Sequence, residues 1–192
     1  MYGKQPTDLL PYGVALLSLG AGMLYVTFAT LGADDVSYAR TEITAWVAMA
    51  LASPAILLFA ASRLGYGAWR RAFWTAGFAA YCFHLWWAFF RTYRGDFSAV
   101  IDRQGWVAFT NFAVIFIWGA DVARDWIQIE SRAATALKWV AWLWVTLSFL
   151  GATALFRTGA AAMPGYLLGI LVIGAFVLRY RRSSGSSQPL TA

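Results

Sequence analysis

Charge is what this chain has least of. Acidic and basic side chains make up 12% of its 192 residues, where a soluble domain carries about 25%. With 60% of residues hydrophobic and 18% aromatic, too little polar surface remains to cover a water-soluble fold. Cysteine occurs once, at Cys82, which excludes an internal disulfide and any cysteine-based zinc or iron–sulfur site. Histidine also occurs once, at His84, so a bis-histidine haem cannot be held within the chain. There is no nucleophile–base pair, no metal-ligand spacing and no phosphate-binding glycine loop. The reading therefore leans away from an enzyme.

What the chain does have is apolar blocks close to 20 residues long and a mean hydropathy of +0.58. About 20 residues rising 1.5 Å each cross ~30 Å of hydrocarbon. The blocks run Leu9–Leu31, Ile43–Ser62, Trp69–Phe90, Trp106 to about Ala120, Ala136–Phe156 and about Ala160–Leu178. The expected fold class is all-α: a polytopic membrane bundle of six transmembrane helices in one domain over 1–182, with a disordered Ser/Gly/Pro-rich tail at 183–192. The first block is longer than a signal-peptide core, so it reads as a retained span. Cleavage after Ala33 is the alternative and leaves five.

Local signals punctuate these blocks. Thr7-Asp8 and Pro11 open the first, Thr41 caps the second, and Arg179, Arg181 and Arg182 stop the last. Pro54 sits inside the second block, where it should bend the helix and leave the Ala50 carbonyl without a donor. Ser53 is the local group expected to satisfy it. The Arg91–Gly105 connection should hold a short interfacial helix with Asp96 as N-cap and Gly105 just past its end. Ser18/Gly22 and Gly165/Gly169 form small-residue faces suited to close helix contacts.

The net charge of +6 does not point to nucleic acid, because the basic residues lie at the ends of apolar blocks and not in a patch. They read as topology. Lys4, Arg63, Arg70, Arg71, Arg124, Arg132, Lys138, Arg179, Arg181 and Arg182 fall on one side; Arg40, Arg91, Arg94, Arg103 and Arg157 fall on the other. Ten against five places both termini in the cytoplasm of a bacterial inner membrane.

The candidate site lies between Trp69 and Trp126. An ionisable side chain inside a membrane span is a functional hypothesis by default. For His84 the readings are an axial ligand to haem b (the one case in which it would bind a metal), a hydrogen bond to a quinone, or a proton relay. Against these stands a neutral imidazole bonded to another helix. Tyr81 and Trp87 are its helical neighbours, and antiparallel pairing of the third and fourth spans puts Asn111 at its depth, facing it. Asn111, Trp118, Asp121 and Asp125 share one helical face, so Asp121 and Asp125 could continue a polar pathway toward the other side. The plainer reading pairs Asp121 with Arg124. Arg91, Arg94 and Arg103 are candidates for contacts with membrane lipids or a partner, or for solvated anchors.

Arg70-Arg71 followed by Tyr81 and His84 resembles the start of the haem-carrying helix in ferric-reductase-like transmembrane proteins, which also have about six spans. That likeness covers roughly fifteen residues and implies haem. Those families place further histidines on a later helix, whereas Leu137–Trp142 here has none. Separately, His84 with Asn111, Trp118 and Asp121 is similar to a pattern in uncharacterised multi-pass bacterial membrane proteins, which implies no particular activity. The leading expectation is a non-catalytic accessory or scaffold subunit that contacts other membrane-protein subunits and needs no cofactor. A redox protein using His84 with haem or quinone comes next, and a small-solute carrier third.

Overall fold

A computed structural model describes residues 9–61, 67–155 and 158–185. These form seven α-helices: α1 (Leu10–Ala29), α2 (Val36–Ala61), α3 (Gly67–Trp86), α4 (Phe97–Gln104), α5 (Trp106–Ile127), α6 (Arg132–Leu150) and α7 (Met163–Gly185). α3 runs on through a π-helical segment, Trp87–Thr92, and α6 through another, Gly151–Leu155. A short 3₁₀ turn, Gly159–Ala162, leads into α7. No strand occurs among the described residues.

α2 packs against α1, α3, α6 and α7. Its Val47, Ala48, Leu51, Ala52, Ala55 and Ile56 are all buried. Alanines leave room for a neighbouring backbone, and α3 uses it: a Cβ added at Gly77 would stand 2.9 Å from Ala52 Cβ and 3.0 Å from Ala52 N. α1 approaches α2 where Gly22 meets Val47, and lies along α3 through a second small cluster of Ala15, Ala72 and Ala76. α7 closes the bundle with Gly165 against Thr153 and Ala154 of the second π segment. Lipid offers apolar side chains as good a home as protein does, so close backbone approach at small residues, more than bulk hydrophobicity, selects these neighbours.

Five helices are long and apolar enough to cross a membrane: α1, α2, α5, α6 and α7. α3 is not among them, since Arg70, Arg71 and His84 dilute its apolar content, yet it runs antiparallel beside α5. Arg70 meets Asp125, Trp74 meets Asp121 and Tyr81 meets Asn111, three contacts at successive heights.

Several boundaries differ from the sequence reading, each for a physical reason. α2 begins at Val36, not near Ile43, because Asp35 accepts from the Tyr38 amide at 2.9 Å and does the capping assigned to Thr41. α5 does not stop near Ala120; it continues to Ile127, because Asp121 and Asp125 are paired with arginines and can be buried. α6 correspondingly starts at Arg132, capped by Ser131, which accepts from Ala134 N at 3.0 Å. α7 runs past Arg179–Arg182 to Gly185: the arginines end the apolar stretch but suit a helix C-terminus. The Ser53 hydroxyl donates to the Met49 carbonyl at 2.7 Å, not to that of Ala50. α4 has the expected cap, with the Asp96 carboxylate accepting from Ala99 N, and ends at Gly105 with φ 54°. The Thr7-Asp8 cap, Arg63, Phe156, Arg157 and the tail beyond Gly185 lie outside the described residues.

Candidate functional site

Polar side chains inside the bundle gather at its two ends. At one end, α3 delivers His84 to the first turns of α2, and the ring Nδ1 lies 2.8 Å from the Thr41 carbonyl oxygen. A carbonyl can only accept, so in the neutral ring Nδ1 carries the hydrogen and Nε2 is left with its lone pair. Among the described residues nothing bonds to Nε2. Just beyond His84 the helix widens into the π segment, whose Thr92 hydroxyl meets that of Thr41 at 3.0 Å. π turns cluster at functional sites because they displace backbone and side chains from regular register. Here the first borders one space beside His84, through Ala88 and Phe89, and the second borders another, through Ala152 and Thr153.

The larger space is a cavity of about 250 Å³ between α2, α3, α4, α5 and the second π segment. Its polar lining comes from Tyr38, Thr41, Glu42, His84, Gln104, Asn111 and Thr153, and its ring-sized apolar wall is Trp46. A smaller void of about 40 Å³ lies beyond it, and His84, Gln104 and Asn111 line both. Asn111 is oriented from behind: Tyr81 donates its hydroxyl to the side-chain oxygen at 3.2 Å and the backbone oxygen at 3.3 Å. Both hydrogens of the Asn111 amide nitrogen are without a bonded partner among the described residues. Gln104 is tethered by donating to the Tyr93 hydroxyl at 2.9 Å.

At the opposite end, Asp121 (1% exposed) accepts from Trp74 Nε1 at 2.9 Å and Arg124 Nε at 2.8 Å. Asp125 accepts from one terminal nitrogen of Arg70 at 2.7 and 2.9 Å, with Arg71 Nε 3.6 Å away. Between the two ends lies a plug of rings. Trp118, fully buried, has ring centroids of Trp74, Tyr81 and Phe149 at 4.8, 5.7 and 6.0 Å.

The structure thus brings His84, Asn111 and Tyr81 together but divides them from Asp121 and Asp125. His84 and Asn111 share a cavity wall without the direct pairing expected of them, because Thr41 and Tyr81 take those bonds. Trp87 points elsewhere: Arg40 stacks over its ring at 5.0 Å, and it lines neither space around His84. Arg91, Arg94 and Arg103 are exposed, and none forms an ion pair with a described carboxylate. Sequence reasoning missed Thr41, Glu42, Gln104 and Thr153 as lining residues. Thr41, Glu42 and Gln104 look like ordinary cap and connection residues, and Thr153 like an ordinary residue of an apolar block, until the fold turns them inward. It also read Arg70 as a topology charge, although Arg70 and Trp74 are spaced four apart on one face, as a pair serving Asp125 and Asp121 would be.

No group of three or more potential metal ligands occurs among the described residues. The chain matches no family model, and no curated protein or solved structure matches it. What the fold defines is an all-α protein with five helices fit to cross a membrane and a polar cavity at one end of the bundle.

Proposed function

We propose that this chain is a six-span subunit of a larger membrane assembly, and that it contributes a ring-binding pocket of quinone type centred on His84. α3 supplies the sixth span, since it shares the depth of α5 over three successive contacts. The excess of lysine and arginine at the Arg70 end puts that end and both termini in the cytoplasm of a bacterial inner membrane, and the pocket toward the other side.

The observation that carries the reading is the state of His84. Its Nδ1 is committed to Thr41, and its free Nε2 belongs to a residue lining a cavity that Asn111 also lines. A ring bearing a hydroxyl and a carbonyl is complementary: the hydroxyl donates to Nε2, the carbonyl accepts from the Asn111 amide, and Trp46 offers a stacking face. At about 250 Å³ the cavity is below the ~300–1,000 Å³ of drug-sized sites, right for one substituted ring and too small for a porphyrin. Haem through His84 does not fit a cavity of this size. A transport route along Asn111 to Asp121 is disfavoured by the Trp118 ring plug. The small-residue faces that would have suited outside partners are spent inside: Gly22 on α2 and Gly165 on the second π segment. Partners are expected to meet the exposed apolar faces of α1 and α7.

Quenching of tryptophan fluorescence by a short-chain quinone tests the pocket. His84→Gln and Asn111→Leu should each weaken binding about tenfold, the worth of one lost hydrogen bond in a partly enclosed site. Equal quenching in native and variant proteins would remove the pocket from consideration. Purification without any companion membrane subunit would remove the assembly.

A further inference from the structure

The Arg70 end holds more positive charge than its carboxylates can use. Four cations, Arg70, Arg71, Arg124 and Lys138, stand around two anions, Asp121 and Asp125. The acceptors are taken up: Asp121 by Arg124 and Trp74, and Asp125 by Arg70 and Arg124. Lys138 is left over. Its ammonium lies 5.1 Å from the Phe59 ring centre and makes no hydrogen bond or ion pair among the described residues. Arg70 spends only one of its three nitrogens on Asp125. Lys138 and Arg70 line the same small void, of about 10 Å³, together with Trp74 and Asp121. A void that size holds one water or one ligand oxygen, and no more.

A half-buried ammonium with no acceptor calls for one from outside. We propose that Lys138 and Arg70 receive a phosphate oxygen of an anionic phospholipid headgroup from the leaflet at the Arg70 end. The lipid source follows from the surroundings. The rest of the α6 surface beside Lys138 is exposed and apolar (Trp139, Val140, Leu143 and Trp144), so acyl chains flank the site and hold a headgroup at its mouth. The ring site at His84 plays no part in this.

The test uses the full chain in nanodiscs of phosphatidylcholine alone or mixed with phosphatidylglycerol, with native mass spectrometry counting retained lipid and thermal unfolding read in parallel. The native chain should retain phosphatidylglycerol in preference and unfold at a higher temperature with it. Lys138→Gln should weaken that preference about five- to tenfold, the usual share of one cation facing an anionic leaflet. Lys138→Arg should keep it, and so should Arg182→Gln, which removes an exposed charge from the helix end of α7. If Lys138→Gln fails to fold, the native chain alone decides. Indifference between the two lipids overturns the proposal. So does a preference that survives in Lys138→Gln, and so does inorganic phosphate in phosphatidylcholine discs reproducing the full stabilisation, which would assign the site to a free anion.

Discussion

Arg70 of α3 and Asp125 of α5, 55 residues apart in the chain, are joined by one guanidinium nitrogen 2.7 and 2.9 Å from the two carboxylate oxygens. The pair is mostly buried, with side chains 14% and 9% exposed. Removing one member of such a pair leaves the other as an uncompensated charge, at about 3–5 kcal/mol, whereas replacing both by apolar groups is often neutral. Asp125→Ala should therefore lower the unfolding temperature in detergent sharply, and Arg70→Met with Asp125→Leu should recover most of the loss. A double variant as unstable as Asp125→Ala would show that the pair does more than neutralise itself.

The sequence announced α4 but not this pair, and the difference is one of range. Asp96 and Gly105 act on the backbone within a few residues, so a cap and a left-handed glycine can be read locally. The fate of Asp121 and Asp125 depends on arginines a whole span away, and without those partners a carboxylate ends an apolar run. The same blindness hid the cavity. His84, Asn111 and Tyr81 were visible as candidates on two spans, but which bonds they make was not: Thr41, which takes the His84 bond, gave no signal beyond ordinary helix chemistry.

Glycines separate close contact from open space. At Gly77 an added methyl meets the Ala52 backbone, while at Gly20 nothing lies within 4 Å. Gly77→Ala should destabilise by about 1–3 kcal/mol through overpacking of α2 on α3. Gly20→Ala should be neutral or stabilise by up to about 1 kcal/mol through better helix propensity. Thermal unfolding of the two variants side by side checks the order.

Asp96 ties the start of α4. The Ser98 hydroxyl first, and then the Ala99 amide, hold its carboxyl below the ordinary 3.8. A carboxyl depressed in the folded state supports the helix above its unfolded pKa and loses that support as pH falls through the folded value. Hydrogen exchange at Ala99 should speed up, relative to the intrinsic rate, only below about pH 3.8. Asp96→Ala should show fast exchange at every pH. A native profile that stays flat into strong acid would remove the cap from the account of α4.

The last prediction concerns whether α3 crosses the membrane, given that its composition alone does not require it. From Arg70 to Tyr81 it climbs about 16 Å at 1.5 Å per residue, and over that climb it stays in contact with α5 at Asp125, Asp121 and Asn111. α5 is apolar enough to span. A helix held antiparallel to α5 at three heights is expected to cross wherever α5 does, its arginines sheltered by the α5 carboxylates. Single cysteines placed at Gly67 and Ser98, in a Cys82→Ala background, mark the two ends; both positions are exposed, and Gly67 has open space around it. A membrane-impermeant maleimide added to sealed vesicles should label one of the two, and vesicles of opposite orientation the other. Labelling of both from one side would make α3 a re-entrant helix, reduce the spans to five, and remove the depth argument that sets His84 inside the bilayer.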